Sequence, residues 1–254
     1  MPKIEVAERA GVGIDGTPRP SEDRVVVLDN AVLVLDGATS PSPDLPSGGW
    51  YSGLLAESLA DALRGDPDGD LGALLAEAIA AVARAHQLRP GSAPSSTVAM
   101  LRWTGERIDA LVLADSPIVA FGPSGPDVVA DDRLASLRRN GKLSTGAAVR
   151  ALRNTTGGFW VAEADPAAAH HAVRRSWPLA EIDAVMLASD GVSVAVDEYR
   201  ILDWPRMLEL TRAKGLVAVL DKIRAAEDTD PGRTRWARAK LHDDQALVLA
   251  EFAA

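Results

Sequence analysis

The sequence predicts an α+β sandwich in which antiparallel sheets are covered by helices. Apolar runs of five to seven residues occur in pairs joined by turns of two to four residues, a pattern typical of antiparallel hairpins. Between these strand groups stand long segments rich in Ala and Leu that have helical periodicity. Helices inserted in pairs between hairpins cover sheet faces, so we expect one domain spanning residues 1–254.

The first half of the chain contains the strongest hairpin signal. Arg24–Leu28 and Ala31–Leu35 are apolar runs separated only by Asp29-Asn30, and Lys3–Glu8 alternates loosely ahead of them. A loop rich in Pro, Ser and Gly follows over Gly37–Gly49. Two helices are then predicted, at Trp50–Leu63 and Leu71–Gln87.

The second half begins with another hairpin and ends on a strand. The remaining predicted strands are Thr97–Trp103, Ile108–Ala114, Ile118–Phe121, Val128–Ala130, Phe159–Ala162, Ala184–Ala188 and Ala246–Phe252. The remaining predicted helical segments are Asp132–Leu152, Pro166–Arg175, Trp204–Lys214 and Gly215–Glu227.

Composition argues against several classes of partner. The 27 Lys and Arg residues against 36 Asp and Glu give a net charge of -9, which repels a phosphate backbone and argues against nucleic acid as a partner. Without cysteine the chain has no disulfide framework and no thiolate metal site. The N-terminal MPKIEVAERA lacks an apolar signal core, and no run of 18 apolar residues occurs, so we expect no membrane partner and a cytoplasmic location.

Carboxylates recur at the ends of the predicted strands. They are Asp23, Asp36, Asp115, Asp190 and the pair Asp243-Asp244. Taken singly, an Asp at a strand end is usually a turn residue. Taken together, several carboxylates at one rim of a sheet would repel each other unless a hard divalent cation lay between them. The pattern therefore predicts a metal site.

The order of these residues resembles the metal-dependent type-2C Ser/Thr protein phosphatases, the PPM family, in its bacterial single-domain form. The similar elements are Ser21-Glu22-Asp23 (Asn-Glu-Asp in the family), Asp36-Gly37, Ser95-Ser96-Thr97 (Gly-Ser-Thr), Ala114-Asp115-Ser116 (Gly-Asp-Ser), Ser189-Asp190-Gly191 and Asp243-Asp244. The resemblance implies a four-layer αββα sandwich of two antiparallel sheets flanked by helices. It also implies a centre of two Mn²⁺ or Mg²⁺ ions that activates water to hydrolyse a phosphomonoester.

The resemblance assigns roles to individual residues. Asp36 would bridge both metals, the Gly37 carbonyl would bind one of them, and Asp190 and Asp243 would hold the other. Asp23, with Glu22 as a weaker candidate, would act through coordinated water. A third, weaker ion seen in some bacterial members would lie at Asp115 and Asp190.

The chain departs from the family pattern at several positions. Arg19, the candidate for gripping the substrate phosphate, lies four residues before Asp23 rather than five. Ala38-Thr39 stands where the family has His-Gly or Met-Gly-Gly, so the histidine proposed as general acid is absent. The long loop at Ser40–Gly49 replaces a tight glycine turn.

These observations leave three functions open. The first is a phosphoserine/phosphothreonine protein phosphatase, whose partner is a phosphoprotein. The second is a phosphatase of a small phosphorylated metabolite, suggested by the altered loop. The third is a binding module without turnover, suggested by the missing general acid. The four positive charges within Arg233–Lys240 would steer a phosphorylated substrate or form a solvated face, and the solvated face is the commoner case.

Overall fold

The computed structural model describes residues 1–38 and 45–252. Its strands are β1 (Lys3–Arg9), β2 (Asp23–Val27), β3 (Ala31–Ala38), β4 (Ser95–Ser96), β5 (Val98–Trp103), β6 (Arg107–Leu113), β7 (Ile118–Gly122), β8 (Gly125–Val129), β9 (Val173–Pro178), β10 (Ala184–Ala188) and β11 (Gln245–Glu251). Its α-helices are α1 (Gly48–Gly65), α2 (Leu71–Ala85), α3 (Arg133–Arg139), α4 (Gly146–Leu152), α5 (Asp190–Asp197), α6 (Trp204–Lys214) and α7 (Leu216–Asp228). Short 3₁₀ helices cover Pro166–His171 and Leu179–Glu181.

The strands form two antiparallel sheets. One has the order β1-β11-β10-β7-β8, and the other has the order β2-β3-β5-β6-β9 with β4 paired to β3. Both predicted hairpins are present: Leu28 N–H donates to the Ala31 carbonyl at 2.8 Å, and Thr104 N–H donates to the Arg107 carbonyl at 2.9 Å. Asp36 lies two residues before the end of β3, and the pair Asp243-Asp244 directly precedes β11.

Alternation along the strands explains the layers. Leu33 and Leu35 of β3 pack with helices α1 and α2, whereas Val32 and Val34 pack against the other sheet. In the β1-β11-β10-β7-β8 sheet, the side chains of Met186 and Leu249 pack with helices α5, α6 and α7. Helices, sheet, sheet and helices therefore follow one another, which confirms the predicted α+β, four-layer αββα sandwich.

Several element predictions were wrong. Pro166–Arg175 is not one helix: a 3₁₀ helix ends at His171, and Val173–Pro178 is the edge strand β9. Three exposed polar residues in β9 concealed its pattern, since only Trp177 is buried. Asp132–Leu152 is broken into α3 and α4 by a turn in which Gly141 has a φ of +68°.

The other differences lie at short segments. Phe159–Ala162 makes isolated bridges to Arg153 and Ser96 rather than a strand. Helix α5 was not predicted, and it starts directly at Asp190. Of the predicted loop Gly37–Gly49, residues 39–44 lie outside the described part of the chain, and α1 already begins at Gly48. Within residues 1–38 and 45–252, no helix is both long and apolar enough to cross a membrane.

Candidate active site

Asp23 and Asp36 are brought together by the pairing of β2 with β3. The two residues lie directly opposite each other in the antiparallel register. The Asp36 backbone is fixed on its other side as well, because its N–H donates to Thr97 Oγ1 at 3.0 Å and its carbonyl accepts from Thr97 N–H at 2.9 Å. Asp23 is only 1% exposed. The hairpin thus places two carboxylates at one end of the sheets.

Gly37 lets the start of α1 approach β3 closely. A Cβ at Gly37 would overlap the backbone of Gly48, so only glycine fits at this position. Its N–H donates to the Glu22 carbonyl at 3.1 Å. Because the same carbonyl also accepts from Ser52 Oγ at 2.7 Å, helix α1, β2 and β3 are tied together beside Asp36.

Asp190 reaches the same end of the sheets from β10. It is the first residue of α5, and Ser189 ahead of it bonds to Ala246 of β11 in both directions, at 2.9 and 3.0 Å. A Cβ at Gly191 would overlap the Asp244 carbonyl oxygen. Glycine at this position therefore lets α5 lie against the Asp243-Asp244 backbone and sets Asp190 beside Asp243.

Asp23, Asp36 and Asp190, here termed the inner carboxylates, perturb one another strongly. Burial raises the pKa of Asp23 and Asp36 well above the ordinary value, and the charge of Asp190 adds to this effect on both. Burial, followed by the charges of Asp243 and Asp115, raises the pKa of Asp190 to about 7. The side chains of Asp36 and Asp190 lie close enough to share a proton, which contributes to raising the pKa of Asp36 and opposes the rise at Asp190. Without a cation, these groups favour holding protons at neutral pH.

Neither carboxylate oxygen of Asp23 has a hydrogen bond of normal geometry to any described residue. The Ser189 hydroxyl is close enough to lower its pKa somewhat, but burial outweighs that contribution. A buried carboxylate with two unsatisfied oxygens is costly unless a proton or a cation compensates for it.

Asp115, Asp243 and Asp244, here termed the outer carboxylates, are instead paired with side-chain cations. Lys240 Nζ lies 2.6 Å from Asp243 Oδ1, and Arg138 Nη1 lies 3.2 Å from Asp115 Oδ2. Arg19 Nη2 lies 2.8 Å from Asp244 Oδ2. Each outer carboxylate therefore has part of its charge already compensated by the chain.

Arg19, the predicted phosphate ligand, is held on both sides. Its Nη1 donates to Glu22 and its Nη2 donates to Asp244, while its side chain is 20% exposed. Asp244 in turn accepts from the backbone N–H groups of Gly11 and Glu22, at 2.7 and 3.3 Å. Arg19 therefore fastens the N-terminal segment to β11, and its role toward a substrate stays a prediction.

Two cavities open beside the carboxylates. A cavity of about 610 Å³ lies between α3, α5 and the segment 237–240, and one of about 500 Å³ lies between Asp36, α3, α4 and the segment 91–97. The smaller cavity has Leu134, Phe159 and Val161 in its wall. Asp115, Asp190 and Asp243 line both cavities, and Asp36 lines the smaller one.

The predicted metal ligands Asp23, Asp36, Gly37, Asp115, Asp190 and Asp243 lie at the same end of the sandwich, and their role as ligands stays a prediction. Even so, within the described ranges no three Asp, Glu or His side chains converge as a ready-made ion cage. The pairing of Asp243 with Lys240 and of Asp115 with Arg138 accounts for part of this, since both carboxylates point at a cation of the chain.

Sequence reasoning missed Arg138 and gave Lys240 no separate role. Arg138 lies in α3, where Leu134 and Leu137 form the buried face. Its position in the helical pattern is therefore that of an ordinary exposed residue. Lys240 was one of four charges in the run Arg233–Lys240. That run is not uniformly solvated, because Arg238 bonds to Asp230 at 2.8 Å and both Arg238 and Lys240 are 11% exposed.

The chain has the αββα fold of the PPM Ser/Thr phosphatases, which confirms at the level of the fold the resemblance seen in the sequence. The catalytic domain of the phosphatase PstP, solved with two manganese ions, shares 16% identity at a TM-score of 0.63 over 98% of this chain and 97% of its own. Stp1 from Staphylococcus aureus shares 13% identity at 0.65 over 100% and 96%. MsPP from Mycobacterium smegmatis, in complex with cacodylate, shares 17% identity at 0.62 over 99% and 98%. No protein-family model and no curated protein sequence matches the chain.

Proposed function

We propose that this protein is a metal-dependent phosphomonoester hydrolase that acts on phosphoserine and phosphothreonine in proteins. In this proposal Asp36, Asp190 and Asp243 hold two divalent cations, Mn²⁺ or Mg²⁺, together with the Gly37 carbonyl, and Asp23 supports them. Residues 1–254 act as one domain. The cytoplasmic location and the phosphoprotein partner remain predictions from the sequence.

The unsatisfied carboxylate of Asp23 is the observation that carries the proposal. It is buried, it faces Asp36 across the hairpin, and neither of its oxygens has a partner of normal geometry among the described residues. The raised pKa values of Asp36 and Asp190 support the same conclusion, because burial and neighbouring carboxylates both disfavour their charged forms. Hard divalent cations prefer carboxylate and carbonyl oxygens, so the residues present fit the metals.

The hydroxyl groups beside the inner carboxylates have structural roles. Ser189 Oγ accepts from the Ala246 N–H at 2.9 Å, and Thr97 Oγ1 shares a hydrogen bond of 2.6 Å with Ser116 Oγ. The chain has no cysteine. With these hydroxyls engaged, water is the natural nucleophile, and bound divalent cations would supply its activation and neutralise the phosphate charge.

Asp36, Asp190 and Asp243 are therefore assigned to holding and orienting the cations rather than to attacking phosphorus. Asp36 is suited to this because both its backbone N–H and its carbonyl are fixed by Thr97. Asp115 is the predicted ligand of a third ion, and the Arg138 guanidinium beside it supplies positive charge there without one.

Hydrolysis of p-nitrophenyl phosphate with Mn²⁺, with and without EDTA, tests the chemistry. We expect turnover that EDTA abolishes and that Asp190→Ala removes. Activity that survives EDTA would contradict the proposal. A panel of phosphopeptides and phosphorylated metabolites then distinguishes the protein substrate from the small-molecule alternative.

The non-catalytic binding module is the second candidate. Its support is that the described residues form no ready-made ion cage and that the Asp243 carboxylate is already paired with the Lys240 ammonium. Bound Mn²⁺ without turnover of any ester in the panel would favour this candidate over the enzyme.

A further inference from the structure

Two side-chain cations stand where the two cavities meet. The residues that line both cavities are Asp115, Arg138, Asp190, Ala239, Lys240 and Asp243. An anion bound to cations at Asp190 and Asp243 would therefore lie within the same junction as Arg138 and Lys240.

Arg138 is available to an incoming anion. Its side chain is 51% exposed, and its contact with Asp115 is a single hydrogen bond of 3.2 Å from Nη1. Within residues 1–38 and 45–252, its other guanidinium nitrogens make no hydrogen bond. Asp115 is 19% exposed, and the remaining guanidinium donors of Arg138 can contact a phosphate while Nη1 keeps its hydrogen bond to Asp115.

Lys240 reaches the same junction from the segment 237–240 rather than from α3. Its side chain is 11% exposed, and Nζ lies 2.6 Å from Asp243 Oδ1 and 3.9 Å from Asp244 Oδ2. An ammonium group has three donors, so Lys240 can contact Asp243 and a further oxygen simultaneously.

Arg19 differs from both residues. Its guanidinium is engaged by Glu22 and Asp244, and Arg19 is absent from the described lining of the two cavities. Contact with a phosphate in the junction would require it to leave Glu22 and Asp244, and Asp244 also anchors the backbone N–H groups of Gly11 and Glu22.

We propose that Arg138 and Lys240 form a phosphate clamp that binds the phosphoryl oxygens of the substrate. This inference rests on the proposed function, because the carboxylates of Asp36, Asp115, Asp190 and Asp243 line the cavities and would repel phosphate until divalent cations bind. Once those cations share the carboxylate charge, Arg138 offers a planar fork of donors and Lys240 a compact charge. Arg19 keeps a structural role, in which it links Glu22 to Asp244.

The test is the affinity of inorganic phosphate for the Mg²⁺-loaded protein, measured by isothermal titration calorimetry. The variants are Arg138→Gln, Lys240→Gln and Arg19→Gln. The control is Arg139→Gln, whose exposed side chain adjoins Arg138 but lines only the larger cavity. Mg²⁺ affinity and melting temperature are measured for each variant, so that a loss of metal or of folding is seen separately.

Loss of a charge-assisted hydrogen bond should raise the phosphate dissociation constant at least about tenfold in Arg138→Gln and in Lys240→Gln. Arg139→Gln should match the wild type, and Arg138→Lys should restore part of the affinity. In turnover assays we expect KM to rise more than kcat falls.

Unchanged phosphate affinity in Arg138→Gln and Lys240→Gln, with a loss confined to Arg19→Gln, would overturn the clamp. If the wild type still bound Mg²⁺ and hydrolysed p-nitrophenyl phosphate, the proposed function would survive that result. A wild type that bound neither Mg²⁺ nor phosphate would overturn both.

Discussion

The inner and outer carboxylates lie at the same end of the sandwich but differ in how their charge is balanced. The inner group, Asp23, Asp36 and Asp190, has raised pKa values because burial and neighbouring acids disfavour its charge. In the outer group, each of Asp115, Asp243 and Asp244 faces an Arg or Lys side chain, and at Asp115 burial still raises the pKa although the Arg138 charge opposes it.

This difference separates two sources of positive charge. Where the chain provides a cation, the carboxylate charge is partly compensated in the folded protein as it stands. Where it provides none, the carboxylate must keep a proton or acquire a cation from solution. The inner group therefore marks where external metal is needed most, whereas at Asp115 and Asp243 a metal ion would share the carboxylate with Arg138 or Lys240.

Removing an inner carboxylate should have the largest effect. Asp36→Asn takes away the charge at the centre of the cluster, and we expect hydrolysis of p-nitrophenyl phosphate to fall about 1,000-fold or more. Asp68→Asn, at an exposed position between α1 and α2, is the matched control and should retain full activity. Equal rates in the two variants would show that the inner group is not the reactive centre.

Separating the two groups should cost stability. In Gly191→Ala the new methyl group would overlap the Asp244 carbonyl and push α5, with Asp190, away from Asp243. We expect the free energy of unfolding in urea to fall by about 1–3 kcal/mol. Gly65→Ala, where a methyl group meets no atom within 4 Å, provides the comparison, and a similar loss there would argue against a close approach at Gly191.

The inner group should also give the metal-free protein a characteristic pH dependence. The folded pKa of Asp190 is about 7 against an ordinary 3.8, so between these values the folded state holds more protons than the unfolded state. Its contribution to stability is therefore favourable at low pH and is lost as pH rises toward 7.

Urea denaturation in EDTA at pH 5 and pH 8 measures this effect. We expect the wild type to lose about 1–2 kcal/mol more than Asp190→Asn over that interval, after allowance for solvent screening of a partly exposed group. A wild type and variant with the same pH dependence would show that Asp190 is not under electrostatic strain.

Removing an outer cation should have the smallest effect on metal binding. Lys240→Met frees Asp243 from its ammonium partner, so Mn²⁺ should bind about fivefold more tightly, the equivalent of about 1 kcal/mol. Lys222→Met, at an exposed position of α7, should leave the affinity unchanged. A weaker rather than stronger Mn²⁺ affinity in Lys240→Met would mean that Lys240 orients Asp243 for the metal.

The sequence predicted the sheets and the position of the acidic residues because both follow from short-range patterns. Apolar runs around Asp29-Asn30 specify a hairpin, and the hairpin alone brings Asp23 opposite Asp36. The sequence identified Gly191 as part of the Ser-Asp-Gly element. Only the structure shows why glycine is needed there, namely the close approach to the Asp244 backbone.

The pairings of the outer group could not be predicted in the same way. Asp115 and Arg138 are 23 positions apart, and nothing in the spacing of α3 distinguishes Arg138 from a solvated arginine. Strand β9 was missed for a related reason, since an edge strand whose polar residues are satisfied by neighbours such as Asp109 and Asp127 lacks an apolar pattern.

The most direct test of the central claim is a titration of the metal-free protein with Mn²⁺, followed by calorimetry and by the loss of the free Mn²⁺ electron paramagnetic resonance signal. If the inner carboxylates hold external cations, the wild type should bind two ions per chain and release protons at pH 7, and Asp36→Asn should bind neither ion tightly. A wild type that binds no Mn²⁺, or an Asp36→Asn variant that binds as the wild type does, would contradict the account.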